Sequence, residues 1–504
     1  MTVQDRLQNL ISMTEDKCTE WLHRNAAGQM EFVDPIDKVE ISAHYGATHM
    51  AAALFLNGHE QAGNQLLKSV LERWDGSKNL PGFHNDFNNF ALCVIYDYVG
   101  ENEKKLIRDT VLRTSDSNHN TVNWLPMRWA VNQMRFQWTQ KQAYCTACEV
   151  CKKKIAQATW SDGVIDDRLP VGLSFNLQYD VATVAVMQYL RVQGNQVDIA
   201  KELGALLEAE APDGDINYLG RGTNQIFAWG LWVYLLASSG QEAALNRAIA
   251  YLEKYLPIAL RNNNLMLNDI PGEEKYMWWD YHYCSVYTAH LLMWLNLAKE
   301  HFEKAVVVPE KYKAGNSGVE IYKSNDAFAV VFKGRREYLA ERGPVLCALW
   351  TKELGMIIKG AFGPWKGAFG NNHLQYEATL RNFTGFLEVR TNRDYSQNRI
   401  ARKLAIDEKI QSYEGVFPRF FDFFVRVTHK SVEIEYKIPE RKELLLNLPI
   451  IVDGIDRSDS IEVKVNDEKC KAICSTAVLN QYGWIKLYQA KIVTDGTVKI
   501  CIGR

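Results

Sequence analysis

The chain has 504 residues, 47% of them hydrophobic and 23% charged, with a formal net charge of −2. That length and mix suit a globular protein with two hydrophobic cores. The near-neutral balance argues against a nucleic-acid or anionic-membrane partner, and the longest apolar runs are too short to span a bilayer.

The N-terminus opens an amphipathic pattern with Leu7, Leu10 and Ile11. A basic segment followed by an apolar one, the mark of a secretory leader, is not found there. The expectation is a cytoplasmic protein, or a periplasmic or secreted one if a leader has been trimmed. Up to residue 300, apolar positions recur at helical spacing, and Gly, Asn or Pro interrupts the pattern at regular intervals. Helices are expected over 3–22, 38–57, 60–74, 85–99, 101–114, 121–137, 139–158, 175–193, 196–209, 222–238, 241–255 and 280–299. Longer polar loops fall at 75–84, 115–120, 159–174, 210–221 and 261–279, after about every second helix. Helical hairpins with one elaborated end are what a closed ring of inner and outer helices gives. The stretches 181–190 and 227–238 are apolar almost all round, as inner helices should be.

Most cysteines sit inside apolar periodic segments, as small core residues of a reducing compartment. Cys145, Cys148 and Cys151 form C-x2-C-x2-C. A ferredoxin-type run would need a fourth Cys before a Pro, and zinc a fourth ligand from elsewhere. The same spacing also places three small side chains along one helix stripe, which is the reading adopted. No metal and no cofactor is implied.

Near residue 305 the apolar period changes from 3.6 to 2. Segments such as 319–322, 327–332, 431–436 and 460–465 alternate or are β-branched, and turn residues separate them. The expected fold class is α+β and multidomain: an N-terminal (α/α) toroid of paired helices over 1–300 as the catalytic domain, a linker over 301–318, and a C-terminal antiparallel β-sandwich over 319–504.

Five polar clusters fall at loop–helix junctions: 81–90, 118–129, 162–180, 213–225 and 276–283. The fourth stands out. A Gly-rich turn bearing Asp215, Asn217, Tyr218, Arg221, Asn224 and Gln225 runs directly into the aromatic helix from Phe227. Tyr and Trp beside Asn, Gln and Arg suit a carbohydrate, which offers flat C–H faces and many hydroxyls. Arg also grips a carboxylate in a bidentate fork.

A helical toroid followed by a β-sandwich resembles the polysaccharide lyases of the heparinase II/III and alginate-lyase type. Asn123-Trp124, then Asp162-Gly163 with Tyr179 downstream, then Gly220-Arg221-Gly222, resembles the NNW…DG…Y…GRS series of a bacterial toroid family. Some of its members are glycoside hydrolases that release glucuronic acid. Here Val122 replaces the first Asn and Gly222 the Ser. Both resemblances imply an acidic, uronic-acid-containing poly- or oligosaccharide as substrate.

Elimination requires a neutralised C5 carboxylate, a base for the C5 proton and an acid for the leaving oxygen. Asn123, Arg221 and Gln225 suit the first task; Tyr218, Tyr281 and His282 suit the other two. The resemblance also implies a histidine reaching the cleft from the sandwich, and His373 is the candidate. Asn224, Tyr179, Trp124, Trp279 and Asp215 are expected to bind substrate. Hydrolysis instead requires two carboxylates, separated by roughly 5–5.5 Å or 6.5–9.5 Å; Asp162, Asp166, Asp167, Asp180, Asp215 and Asp280 are available. The expected activity is thus polysaccharide lyase, with a uronide-releasing glycoside hydrolase, a uronyl epimerase and a non-catalytic glycan-binding protein as alternatives.

Overall fold

The computed structural model describes residues 1–41, 44–74, 84–117, 119, 121–169, 171, 175–219, 223–265, 267, 283–302, 306–308, 317–332, 345–359, 387–389, 422–427, 431–437, 442–451, 461–471, 478–480, 483–494 and 496–503. Among the described residues, twelve α-helices precede the C-terminal strands: α1 Val3–Thr19, α2 Tyr45–Leu56, α3 Glu60–Arg73, α4 Asn85–Ile95, α5 Glu101–Arg113, α6 Leu125–Thr139, α7 Gln142–Ala158, α8 Leu177–Val192, α9 Ala200–Ala209, α10 Phe227–Ser238, α11 Glu242–Arg261 and α12 Cys284–Glu300.

Even-numbered helices pack on one another in the order α2, α4, α6, α8, α10, α12, and α12 returns to α2, so the inner ring closes. All residues of α2, α4 and α10 are buried, as befits helices flanked on both sides. Odd-numbered helices lie outside and bury one stripe; α3 buries only Gly63, Leu66, Leu67, Ser69 and Val70. Small residues allow the inner helices close approach. A Cβ on Gly230 of α10 would lie 2.8 Å from the Leu291 carbonyl oxygen of α12. At the closure, α1 packs on α11 and α12, and Arg6 grips Glu253 with two hydrogen bonds of 2.9 and 2.6 Å.

Several boundaries depart from the sequence pattern: α2 starts at Tyr45 instead of 38, and α10 at Phe227 instead of 222. The region before α2 carries a hairpin, β1 (Leu22–Arg24) with β2 (Met30–Phe32), where helix was expected to follow helix. Helix α11 runs on through Pro257 to Arg261 instead of stopping near 255.

Two polar loops repeat the same turn. Gly163 and Gly214 each follow an Asp and have φ of 91° and 92°. Their amides donate to Trp160 and Ala211, and the amides of those residues donate to Val164 and Asp215. Each Gly abuts the next outer helix: an added Cβ would sit 2.6 Å from the Lys201 carbonyl oxygen and 2.7 Å from that of Arg247. Positive φ and the lack of room both demand glycine here.

The C-terminal strands are β3 Val319–Lys323, β4 Ala327–Phe332, β5 Val345–Thr351, β6 Gly355–Lys359, β7 Leu387–Val389, β8 Asp422–Val427, β9 Ser431–Lys437, β10 Lys442–Ile451, β11 Glu462–Val465, β12 Glu468–Lys469, β13 Val478–Asn480, β14 Gly483–Thr494 and β15 Thr497–Gly503. They form sheets ordered β3-β4-β5-β6, β13-β14-β10-β7 and β12-β11-β15-β9-β8. Each described pairing is antiparallel. Burial alternates along β11 and β15 as the period of 2 predicts.

The first sheet docks on the toroid. Phe328 of β4 meets Tyr218 edge-on at 5.8 Å between ring centres. Ser317, just before β3, donates its backbone N–H and its hydroxyl to Asp162. Lys323 of β3 donates to the carbonyl of Glu210, 2.8 Å away.

Candidate functional site

At the N-terminal ends of the inner helices, aromatic and imidazole rings from all six helices or the residues just before them make one continuous cluster. Tyr45 opens α2 and is its hub. Its ring centre lies 4.5 Å from Phe87, 4.7 Å from His49, 5.2 Å from His84 and 6.1 Å from His290. His84, just before α4, stacks on Trp124 at 5.9 Å and meets Tyr283 edge-on at 6.3 Å. His119 also stacks on Trp124, at 4.6 Å. Phe227, the first residue of α10, stacks on His290 at 4.5 Å and lies 5.1 Å from Tyr287 and 6.4 Å from Tyr179.

The ring closure dictates this convergence. The inner helices start at this end of the ring, so their first-turn side chains meet the described residues just before them, His84, Trp124 and Tyr283. The residues preceding α2, α4 and α10 are His44, His84 and Ile226, and none caps its helix with a side chain. The helix dipole favours an anion at such an end.

Beneath the rings lie two buried imidazoles. His49 Nδ1 lies 2.8 Å from the Tyr45 carbonyl oxygen; as the donor there, it leaves Nε2 as the lone-pair nitrogen. Burial pushes the His49 pKa down to about 3, against the hydrogen bond to Tyr45 and with help from nearby His84. His290 accepts from the Trp294 indole at 3.1 Å, and burial together with His49 holds it well below the ordinary histidine value. Burial thus disfavours the charged form of both rings.

Several buried amides keep hydrogen-bonding capacity unused. Asn123 Oδ1, Asn176 Nδ2, Gln178 Oε1 and Gln225 Nε2 have no partner among the described residues. Gln178 donates once to Gln225, at 3.3 Å. Buried amide groups of this kind are normally satisfied, so a set of them points to a hydroxylated or carboxylated ligand, or to ordered water.

Asp86, Asp167 and Asp34 near the mouth are engaged. Arg128 holds Asp86 with hydrogen bonds of 3.2 and 2.8 Å and also donates to the carbonyls of Ser117 and His119, which fixes the loop carrying His119. Burial outweighs Arg128 and pushes the Asp86 pKa up to about 6. Asp167 accepts from the backbone of Asn123, and Asp34 accepts from Ser285 at the start of α12.

Of the residues expected from sequence, Trp124 and Tyr179 join the ring cluster, with Asn123 beside Trp124 and Gln225 two residues before Phe227. Asn224 adopts φ of 69° and its carbonyl accepts from Leu267, tying two loops together. Tyr218 and Asp215 lie elsewhere. The Tyr218 hydroxyl donates to the Ala209 carbonyl at 2.7 Å, and its ring packs against the C-terminal sheet, buried to 1% exposure. Asp215 pairs with Lys359 of β6 in the same seam. Arg221, Trp279, Tyr281, His282 and His373 lie outside the described residues. Sequence reading quoted His84 and His119 only within polar clusters and missed Tyr45, His49, Tyr287 and His290. A Tyr or His inside an apolar helix reads as core until the ring closure brings α2, α4 and α12 together. Cys145 is part-exposed on α7, and Cys148 and Cys151 are buried. Among the described residues, no helix is long and apolar enough to cross a membrane.

No protein-family model and no curated protein sequence matches the chain. Solved structures do resemble it. Heparan sulfate lyase HepC from Pedobacter heparinus aligns over 100% of this chain and 84% of its own, with 9% identity and a TM-score of 0.47. A glycosyl hydrolase family 88 protein from Bacteroides vulgatus aligns over 58% of this chain and 99% of its own, with 12% identity and a TM-score of 0.40. The GH76A alpha-1,6-mannanase from Salegentibacter sp. HEL1_6 covers 60% of this chain and 100% of its own, with 11% identity and a TM-score of 0.41. At such identities and scores the residues of this chain itself must carry the functional reading.

Proposed function

We propose that the protein is a carbohydrate-active enzyme that cleaves a uronic-acid-containing poly- or oligosaccharide by β-elimination. The supporting observation is the make-up of the mouth: imidazole, phenol and indole rings cluster there beside uncommitted amide groups, while Asp86, Asp167 and Asp34 are engaged. In elimination, a base removes the C5 proton, the electron pair forms the C4–C5 double bond, the C4–O bond breaks, and an acid protonates the leaving oxygen. Neutral Tyr and His side chains serve both proton transfers. Asn123 and Arg221 are assigned to the substrate carboxylate, whose negative charge grows towards the enolate-like intermediate. His84 and Tyr45 take the proton transfers together with Tyr281 and His282, which directly precede Tyr283 in the chain. Gln225, Asn224, Tyr179, Trp124, Trp279 and His373 are assigned to the sugar rings. Tyr218 and Asp215 are assigned to the seam with the sheet, where their partners hold them. The C-terminal sheets are assigned to one antiparallel sandwich, in keeping with the contacts of β6 with β10 and of β4 with β8.

Hydrolysis of a uronide is the second reading. It draws on Asp86, whose raised pKa suits a general acid. A retaining or inverting site also needs a second, opposed carboxylate. The test is incubation with a panel of uronic-acid-containing glycans. Elimination predicts the ultraviolet absorbance of an unsaturated uronide. New reducing ends without that absorbance would replace elimination by hydrolysis, and binding without either would make the chain a glycan-binding protein.

A further inference from the structure

The sheet side of the molecule reaches the loop that leads into α10 through a buried cation. Lys359, the last residue of β6, is 6% exposed, and its ammonium pairs with Asp215, itself 1% exposed. It also donates to the Tyr251 hydroxyl at 3.2 Å, and Tyr251 in turn donates to Asp215 at 3.3 Å. Tyr251 belongs to α11 and stacks on Trp229 of α10, with ring centres 4.4 Å apart and planes at 9°. Each member of this triad is thus fixed by the other two, and Tyr251 also by its stack on α10.

From Asp215 the hydrogen bonds lead inward. Its Oδ1 accepts the Asn217 amide at 2.8 Å. The Asn217 side chain donates to the Gln225 carbonyl at 2.9 Å, and the Asn217 carbonyl accepts from the Asn224 amide. The Asn224 carbonyl accepts from Leu267, and Ile226 donates to Leu265, so the two loops entering this part of the mouth are laced together. Phe227 follows at once, stacked on His290.

We propose that Lys359 is a positioning residue: by holding Asp215 it sets Asn217 and, through it, the place of Asn224, Gln225 and Phe227 in the ring cluster. The functional importance of that place rests on the reading given under Proposed function, but the tether itself is measurable without any substrate. A buried ion pair is a costly way merely to glue two surfaces, since well-packed apolar residues often do as well. What the pair adds is a fixed distance and direction between sheet and loop.

The test is amide hydrogen exchange, read residue by residue on the full chain, in Lys359→Met and in the doubly neutral Asp215→Asn/Lys359→Met. The single variant leaves a buried carboxylate unpaired and loses thermal stability. The double variant removes both charges and recovers most of it. The Asp215→Asn change keeps a side-chain oxygen for the Asn217 amide, so in the double variant the turn survives without its tether. The expected result in both variants is exchange about tenfold or more faster at Asn224, Ile226 and Leu267, with α3 amides unchanged. Should Lys359→Met not fold, the double variant decides alone. Unchanged exchange at those three amides in the double variant, or acceleration spread evenly over the toroid, would reduce the pair to simple glue and overturn the proposal. Neither outcome depends on whether the chemistry is elimination or hydrolysis.

Discussion

At the scale of single residues, the proposed elimination makes its heaviest demand on His84. Its ring packs against those of Tyr45, Phe87, Trp124 and Tyr283, and 9% of its surface is exposed. His84→Gln keeps a polar side chain of similar reach but cannot shuttle a proton. It should lower kcat on a cleaved uronide by about a hundredfold or more while moving the thermal midpoint by only a few degrees, about what 1 kcal/mol moves in a chain of this size. Tyr45→Phe should behave alike, because the ring packing survives and only the hydroxyl goes. Steady-state kinetics on purified variants decides the matter. Full activity in His84→Gln with loss in Asp86→Asn would hand the reaction to the carboxylate. Sequence reading could flag His84 because it stands in a polar run before a helix. It could not flag His49 or His290, whose neighbours in sequence are Thr, Met, Ala and Leu.

Elements carry the second layer of expectation. Helix α10 was legible from its sequence alone: Phe227 to Ser238 contains no charge, so no face of it can meet water. The β1–β2 hairpin was not legible, since strands of three residues are too short to show a period. Pro257 misled in the opposite direction, because α11 continues past it. The Gly230 contact makes the α10–α12 seam testable. Gly230→Ala forces a methyl against the Leu291 carbonyl and the Trp294 Cβ, the latter 2.9 Å away. Despite the better helix propensity of Ala, it should destabilise the protein by about 1–3 kcal/mol in a denaturant titration. A more stable variant would mean that the helices separate freely. The seam between α8 and the sheet offers a pH test. Asp180 lies in a cavity lined by Leu177, Leu206, Tyr218, Val319 and Val330, and its Oδ1 has no hydrogen-bond partner among the described residues. Burial, then Glu202, Asp166 and Asp162, hold its pKa well above the usual carboxylate value, while the Ile165 amide pulls the other way. The folded state therefore keeps a proton that the unfolded chain gives up. The parent should thus lose stability relative to Asp180→Asn as pH rises above about 4, the usual carboxylate value. Parallel stability curves for the two proteins would show that Asp180 is ionised in the fold.

For the whole molecule, the alternation of outer and inner helices followed by antiparallel strands was written in the change of apolar period near residue 305. The closure of the ring was not, because nothing local in α2 or α12 states that they touch. That closure brings Tyr45, His84 and His290 together, and with them the groups proposed to break the glycosidic link without water. The mass balance of a cleaved uronide oligosaccharide in heavy-oxygen water tests that chemistry. Elimination predicts fragments whose masses sum to that of the substrate, one of them carrying a carbon–carbon double bond, with no heavy oxygen fixed by the cleavage itself. Fragments that together gain one water, with heavy oxygen retained at the new end, would contradict it.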